Sequence, residues 1–146
     1  FIDPVSTVKA EKLRGLLARV HTLKPNRIEA ELLSGVQITD GESLRQAAQA
    51  LLDQGVGRVF LSLGGDGVLA AQRGEVHAAP ICKAEMRNAT GAGDAMMASL
   101  VWSFLSGRTL AESAAAGTAA AALAVESEET INPAMSAEAV ERRMAR

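Results

Sequence analysis

The stretch Asn88-Ala89-Thr90-Gly91-Ala92-Gly93-Asp94 runs directly into an apolar segment, residues 95–105. It reads as a loop that turns into a helix. With Thr90 as the N-cap, Gly91, Ala92 and Gly93 occupy the first turn, where backbone N–H groups have no intrahelical partner. Such donors make an anion site. Fully helical glycines each cost about 1 kcal/mol relative to alanine, so something other than helix propensity must favour two of them here. Close approach of a ligand to bare backbone is one such reason. Asp94 closes the same turn. A carboxylate beside a bound anion is electrostatically awkward unless it has a chemical task, and accepting a proton from an attacking hydroxyl is such a task. The same spacing also fits simple capping with a favourable macrodipole contact, and Gly-Ala-Gly also fits close helix packing.

Two other stretches could carry chemistry. Asn26-Arg27-Ile28-Glu29 has capping-box spacing, with Asn26 as N-cap and Glu29 reaching back from the third helical position. Ser62-Leu63-Gly64-Gly65-Asp66-Gly67 follows an apolar run, which puts it at the carboxyl edge of a sheet, where α/β proteins bind ligands. An ordinary glycine turn accounts for the same residues, with Asp66 shaping it. Asp3, just before Pro4, reads as a turn former. His21 and His77 have no ligand spacing. Cys82 is the single cysteine, which excludes a disulfide framework or a cysteine-based zinc site within one chain. The sequence has no Gly-x-x-x-x-Gly-Lys-Ser/Thr loop and no Gly-x-Ser-x-Gly elbow, and Gly91-x-Gly93 lacks the third glycine of a dinucleotide fingerprint.

The segment ending in Thr90-Gly91-Ala92-Gly93-Asp94 resembles the Asp-Thr-x-Gly-Ala-Gly-Asp signature of the ribokinase-like (phosphofructokinase B type) sugar and nucleoside kinases. Lys24-Pro25-Asn26-x-x-Glu29 and the turn from Gly64 to Gly67 resemble two further segments of that family. The resemblance implies ATP-dependent phosphoryl transfer to a hydroxyl of a small-molecule nucleoside or sugar. Asp94 would be the catalytic base, and Gly91, Ala92 and Gly93 the anion hole. Ser62, Gly64 and Gly67 would lie beside the ATP phosphates and ribose. Ala119, in the small-residue run 116–120, would flank adenine, although plain helix packing explains that run equally well. Asn26 and Glu29 would organise Mg²⁺ through ordered water, which suits a hard cation that keeps its waters. Asp3 would lie near the acceptor.

Asn88 and Ala89 stand where the family signature has Asp and Thr. That region helps hold a monovalent cation in some members, so both replacements bear on whether this chain uses one. Members of the family are roughly twice as long. The chain resembles their C-terminal half, with the N-terminal half and lid absent; a homodimer is compatible with this reading. A non-catalytic nucleotide-binding piece is the competing interpretation.

Composition narrows the field further. With 146 residues, 48% hydrophobic and 22% charged, the chain can pack as one domain spanning 1–146. A net charge of −2, with no run of Lys or Arg, gives no electrostatic reason to expect nucleic acid. Aromatics at 3%, with no tyrosine, argue against a base-stacking platform. Residues 114–125 are the closest approach to a membrane span and are too short, and no secretory leader pattern is visible. A cytoplasmic protein is expected.

The elements that must position these residues follow from periodicity and punctuation. A short buried strand is expected over 1–5, weak helical periodicity over 6–18, and a strand over 21–25 stopped by Pro25. A helix then runs from Asn26 to a Gly35 stop, and Asp40 caps another over 42–54 with Leu44, Ala47, Ala48, Leu51 and Leu52 on one face. Residues 58–63 read as a central strand, and 68–71 and 76–79 as strands joined through Arg73-Gly74-Glu75. The helix after Asp94 is apolar nearly all round, with Ser99, Ser103 and Ser106 in a narrow line, which predicts burial. Thr109-x-x-Glu112 opens a small-residue helix over 110–125, and Ser136 caps a last one with Val140 and Met144 inward. Such alternation predicts an α/β layer sandwich, a largely parallel sheet flanked by helices.

Overall fold

The computed structural model describes residues 1–145. The chain divides into two compact units, Phe1–Gly64 with Val68–Ala78, and Gly65–Gly67 with the chain from Ala79 onward.

In the first unit the helices are α1 (Thr7–Glu11), α2 (Arg27–Ser34) and α3 (Gly41–Asp53), with a 3₁₀ segment at Arg14–Arg19. The strands are β1 (Thr22–Leu23), β2 (Arg58–Ser62), β3 (Val68–Gln72) and β4 (Glu75–Ala79), in sheet order β1-β2-β3-β4. β1 is parallel to β2, with Leu23 opposite Val59, and the chain makes that crossover through α2 and α3. β2 and β3 are antiparallel, with Phe60 opposite Ala70. The sheet is therefore mixed rather than largely parallel. The physical reason is connection length: a single 3₁₀ turn, Gly64–Asp66, joins β2 to β3, and Arg73-Gly74 joins β3 to β4, too little chain for a crossover.

Val59 and Leu61 of β2 face an apolar core shared with Leu23, Ala30, Leu33, Ala47 and Leu51. Phe60, between them, is also buried, so β2 is covered on both faces. Both helix starts form as the sequence predicts. Asn26 and Glu29 make a complete capping box on α2, which ends at Gly35 in a left-handed conformation, and Asp40 and Ser43 make another on α3.

The second unit is helical, with α4 (Ala92–Leu105), α5 (Leu110–Val125) and α6 (Ala137–Met144). α4 and α5 form a helical hairpin. Gly117 of α5 sits where an added Cβ would lie 3.2 Å from Met96 Cγ and 3.6 Å from Leu100 Cδ2, which is what lets the two helices approach. Val140 of α6 packs on Ala116, Ala119 and Ala120 of α5. Arg143 ties α6 down by donating to the Lys83 carbonyl (2.8 Å) and pairing with Glu126. No helix among the described residues is long and apolar enough to cross a membrane.

Three further expectations change. Residues 1–5 are not a strand: only Ile2 forms a bridge, with Leu23, because Pro4 has no N–H to give and Asp3 Oδ1 accepts from Val5 N–H, turning the chain. Residues 6–18 do not form one helix but split into α1 and the 3₁₀ segment, with Gly15 inside the latter. α4 is not buried all round. Its covered face is Met96, Ser99, Leu100 and Ser103, so two of the three serines point inward, where small side chains suit a close hairpin, while Leu105 is 78% exposed.

Two measurements follow from this packing. Gly117→Val should lower stability by about 1–3 kcal/mol in urea unfolding, because a branched side chain cannot share space with Met96 and Leu100. Gly117→Ala should be nearly neutral, since the Met96 side chain is flexible and alanine favours the helix. The caps should also make stability acid-sensitive. The Asp40 carboxyl is held below its ordinary range by the Ser43 N–H and then the Ser43 hydroxyl, and that of Glu112 by the Thr109 N–H and then the Thr109 hydroxyl. A folded-state pKa below the unfolded one contributes stability that is present above the unfolded value and lost as pH falls through the folded one. The urea midpoint should therefore drop between about pH 6 and pH 3, and Asp40→Asn with Glu112→Gln should make that drop smaller.

Candidate active site

α4 begins without a cap. Thr90 is not its N-cap, as the sequence suggested; that place belongs to Gly91 in a left-handed conformation (φ 87°), and no side chain caps the first turn. The first intrahelical bond is Ala95 N–H to the Gly91 carbonyl (2.9 Å), so the amides of Ala92, Gly93 and Asp94 have no intrahelical partner. Each of the other α-helices carries a capping side chain: Ser6, Asn26, Asp40, Thr109 or Ser136. Gly93 and Asp94 are exposed at the second and third positions of α4. This leaves three backbone donors and one carboxylate at a single helix end.

The loop before α4 is tied down at its back. Arg87 and Asn88 N–H both donate to the Val125 carbonyl (2.8 and 3.1 Å). Asn88 Oδ1 accepts from Thr90 N–H (2.9 Å), and its Nδ2 donates to the Glu128 carbonyl (3.3 Å). At Gly91 an added Cβ would lie 2.6 Å from the Thr130 carbonyl oxygen. Gly91 is thus explained by chain crossing and positive φ, not by a ligand needing room; Gly93 does not have a positive φ.

A second group of candidates gathers in the first unit. Ser62 and Asn26 form a parallel bridge, and the Pro25 carbonyl accepts from both Ser62 N–H (2.9 Å) and Ser62 Oγ (3.3 Å). The end of β2 is thereby fastened to the start of α2. Asn26, Arg27, Ile28, Ser62, Leu63 and Gly64 line an open cleft of about 210 Å³. Whole small-molecule sites run to roughly 300–1,000 Å³, so this cleft has the dimensions of part of a site. Glu29, 2% exposed, uses Oε2 to accept from Asn26 N–H (2.9 Å), and Asn26 Oδ1 accepts from Glu29 N–H (2.9 Å). Among the described residues no three His, Cys, Asp or Glu side chains are grouped to hold a metal directly.

The glycines of the turn divide. Gly64 (φ 59°) has nothing within 4 Å of where a Cβ would be, and its back is open at the cleft. Gly67 (φ 91°) would put a Cβ 2.1 Å from the Ala79 carbonyl oxygen, so its smallness serves chain packing. Ala119 is fully buried in the α5–α6 cluster and offers no surface. One feature escaped the sequence reading: Lys24, 5% exposed, pairs with Asp3 Oδ2 at 2.7 Å, anchoring the segment before the cleft. A lysine between Leu23 and Pro25, opposite an aspartate in another apolar run, was the available signal.

Known proteins resemble this chain in sequence and fold. The model of the pfkB family carbohydrate kinases matches residues 1–137. The chain belongs to that family. It is 42% identical to the pseudouridine kinase of Escherichia coli K12 over 137 residues, 93% of this chain and 44% of that protein. A crystal structure of a candidate sugar kinase from Clostridium perfringens superposes with a TM-score of 0.92 at 32% identity, over 98% of this chain and 45% of that one. Arabidopsis thaliana ribokinase complexed with ribose and ATP superposes with a TM-score of 0.81 at 27% identity, over 90% of this chain and 43% of that one. The chain thus spans under half the length of these relatives, and its fold is the ribokinase-like α/β fold.

The two turn glycines should separate in unfolding experiments. Gly67→Ala should cost more than about 2 kcal/mol, from strain plus a backbone clash. Gly64→Ala should cost about 1–2 kcal/mol, the left-handed penalty alone, and so leave the fold intact for ligand-binding assays.

Proposed function

We propose that this chain supplies the catalytic carboxylate and phosphate-binding elements of a kinase that transfers the ATP γ-phosphoryl group to the 5′-hydroxyl of a nucleoside, with pseudouridine the acceptor. The observation that carries the reading is the uncapped start of α4, where the amides of Ala92 and Gly93 stand beside the Asp94 carboxylate. Membership of a carbohydrate kinase family supports phosphoryl transfer, and 42% identity to a pseudouridine kinase supports the acceptor.

ATP and Mg²⁺ fit the residues present. Unpaired helix-end amides suit phosphate oxygens, the open side of Gly64 suits close backbone approach, and the buried Glu29 carboxylate suits a water-bound cation. When bound, the metal would neutralise charge on the phosphate oxygens. Asp94 orients the acceptor hydroxyl and takes its proton as the new O–P bond forms, leaving ADP. The amides of the Gly91–Gly93 turn hold the charge of the transferring group through donors fixed before the reaction starts. Asn26 and Glu29 keep their mutual cap while orienting metal-bound water, and Gly64 takes the nucleotide side of the cleft. The partner molecules are a small nucleoside or sugar and ATP, in a cytoplasmic setting that accords with a lone cysteine.

The test is ADP release by the natural polypeptide that contains this chain, with pseudouridine, uridine and ribose in parallel. Turnover with pseudouridine alone is expected; preference for ribose or uridine would overturn the acceptor and keep the chemistry. Asp94→Asn should cut kcat by at least ~10²-fold while leaving the Kd for ATP nearly unchanged, and full activity in that variant would remove Asp94 from the mechanism.

A further inference from the structure

One charged side chain lines the cleft of the first unit, and it has no partner. Of Asn26, Arg27, Ile28, Ser62, Leu63 and Gly64, only Arg27 carries a charge. The Ser62 hydroxyl is engaged with the Pro25 carbonyl and Asn26 Oδ1 with Glu29 N–H, whereas the N–H donors of the Arg27 guanidinium meet no acceptor among the described residues. Arginines elsewhere are held: Arg14 donates to the Leu32 carbonyl, Arg45 to that of Gly41, Arg58 to Gln72, and Arg108 pairs with Glu141. Position adds a second argument. Arg27 is the first residue of α2, where the helix macrodipole is positive and disfavours a cation. Glu29, the acid of that first turn, has Oε2 on Asn26 N–H and forms no ion pair with Arg27. A guanidinium set against its local field, exposed at a cleft and without a protein acceptor, suits an anion that arrives from solution.

We propose that Arg27 binds the phosphates that remain on ADP, so that it strengthens nucleotide binding and stabilises the leaving group. This deepens the kinase reading and rests on it. That reading assigns the transferring phosphoryl group to the amides at the start of α4, which leaves the nucleotide's own phosphates for the cleft beside Gly64. Gly64 has open space where a Cβ would be, so phosphate oxygens can come close to its backbone while the planar guanidinium fork takes two of them. When the bond from the γ-phosphorus to its bridging oxygen breaks, the electron pair leaves on the β-phosphate of ADP. A permanently charged group in the cleft counters that growing charge.

The test is calorimetric binding of ADP, ATP and adenosine, with Mg²⁺ present, to the natural polypeptide that contains this chain. Arg27→Gln should weaken binding of ADP and ATP by at least ~10-fold, the effect of losing a charge-assisted hydrogen bond, and leave that of adenosine within about 2-fold. Arg27→Lys should recover part of the loss, because the charge returns without the fork. Arg27→Glu should weaken ADP binding further while its thermal midpoint stays level or rises, since a carboxylate suits the start of α2. Equal ADP affinity in the wild type and Arg27→Gln would overturn the proposal and keep the kinase reading. So would a loss shared equally by adenosine, or a lowered thermal midpoint in Arg27→Gln, because either would make Arg27 a structural residue. A wild type that binds neither ADP nor ATP would instead overturn the kinase reading, and this proposal with it.

Discussion

The Gly91 backbone sets the candidate site. Its positive φ turns the chain into α4 with no residue placed to cap it, and the Thr130 carbonyl behind it excludes any side chain. A typical cap contributes about 1 kcal/mol, which α4 forgoes. The helix forms nonetheless because its inner face packs against Gly117 and its neighbours on α5, and tertiary packing outweighs local propensity in a helix of this length. The amides left over are therefore held rigidly by a scaffold that does not need them, as an anion site requires.

In the first unit the logic is reversed, because the candidate residues are themselves structural. Asn26 and Glu29 cap α2 with each other, and Ser62 fastens β2 to Pro25 through two donors. A capping reading and a metal-orienting reading are usually set against each other. Here they are compatible, since the cap fixes the Glu29 carboxylate in one orientation and a fixed carboxylate orients a water better than a mobile one. The pair of buried Lys24 with half-buried Asp3 upstream extends the same principle: it holds the strand end from which Pro25 and Asn26 project.

How much of this could be read from the chain depends on the range of the interaction. Caps and stops were legible because they are set within four residues: Asn26 with Glu29, Asp40, Gly35, Thr109 with Glu112, and Ser136 all stand where local chemistry puts them. Asp94 and its glycines were legible as a loop running into a helix. What the sequence concealed is long-range. The reason for Gly91 lies at Thr130, the reason for Gly67 at Ala79, and the partner of Lys24 at Asp3. Both short turns after β2 were legible too, and they make the sheet mixed; the expectation of a largely parallel sheet generalised the single crossover through α2 and α3 to strands that those turns reverse. Ala119 was offered to a nucleotide on the family resemblance, and the α6 contact that covers it is invisible until Val140 is placed.

α4 is where local rules and global structure disagree most. It starts uncapped, leaves apolar side chains in water on one face, and buries Ser99 and Ser103 hydroxyls with no hydrogen-bond partner on the other. A helix selected for stability alone would carry a cap, a polar outer face and an alanine at each serine. Departures of this kind gather at functional elements, where a sequence gives up local consistency for a task. The other helices of the chain keep their caps, so the departures do not reflect a loosely specified protein. Their concentration on the one helix that presents Asp94 locates the constraint there: an open end for an anion, a carboxylate beside it, and an apolar flank along the same face.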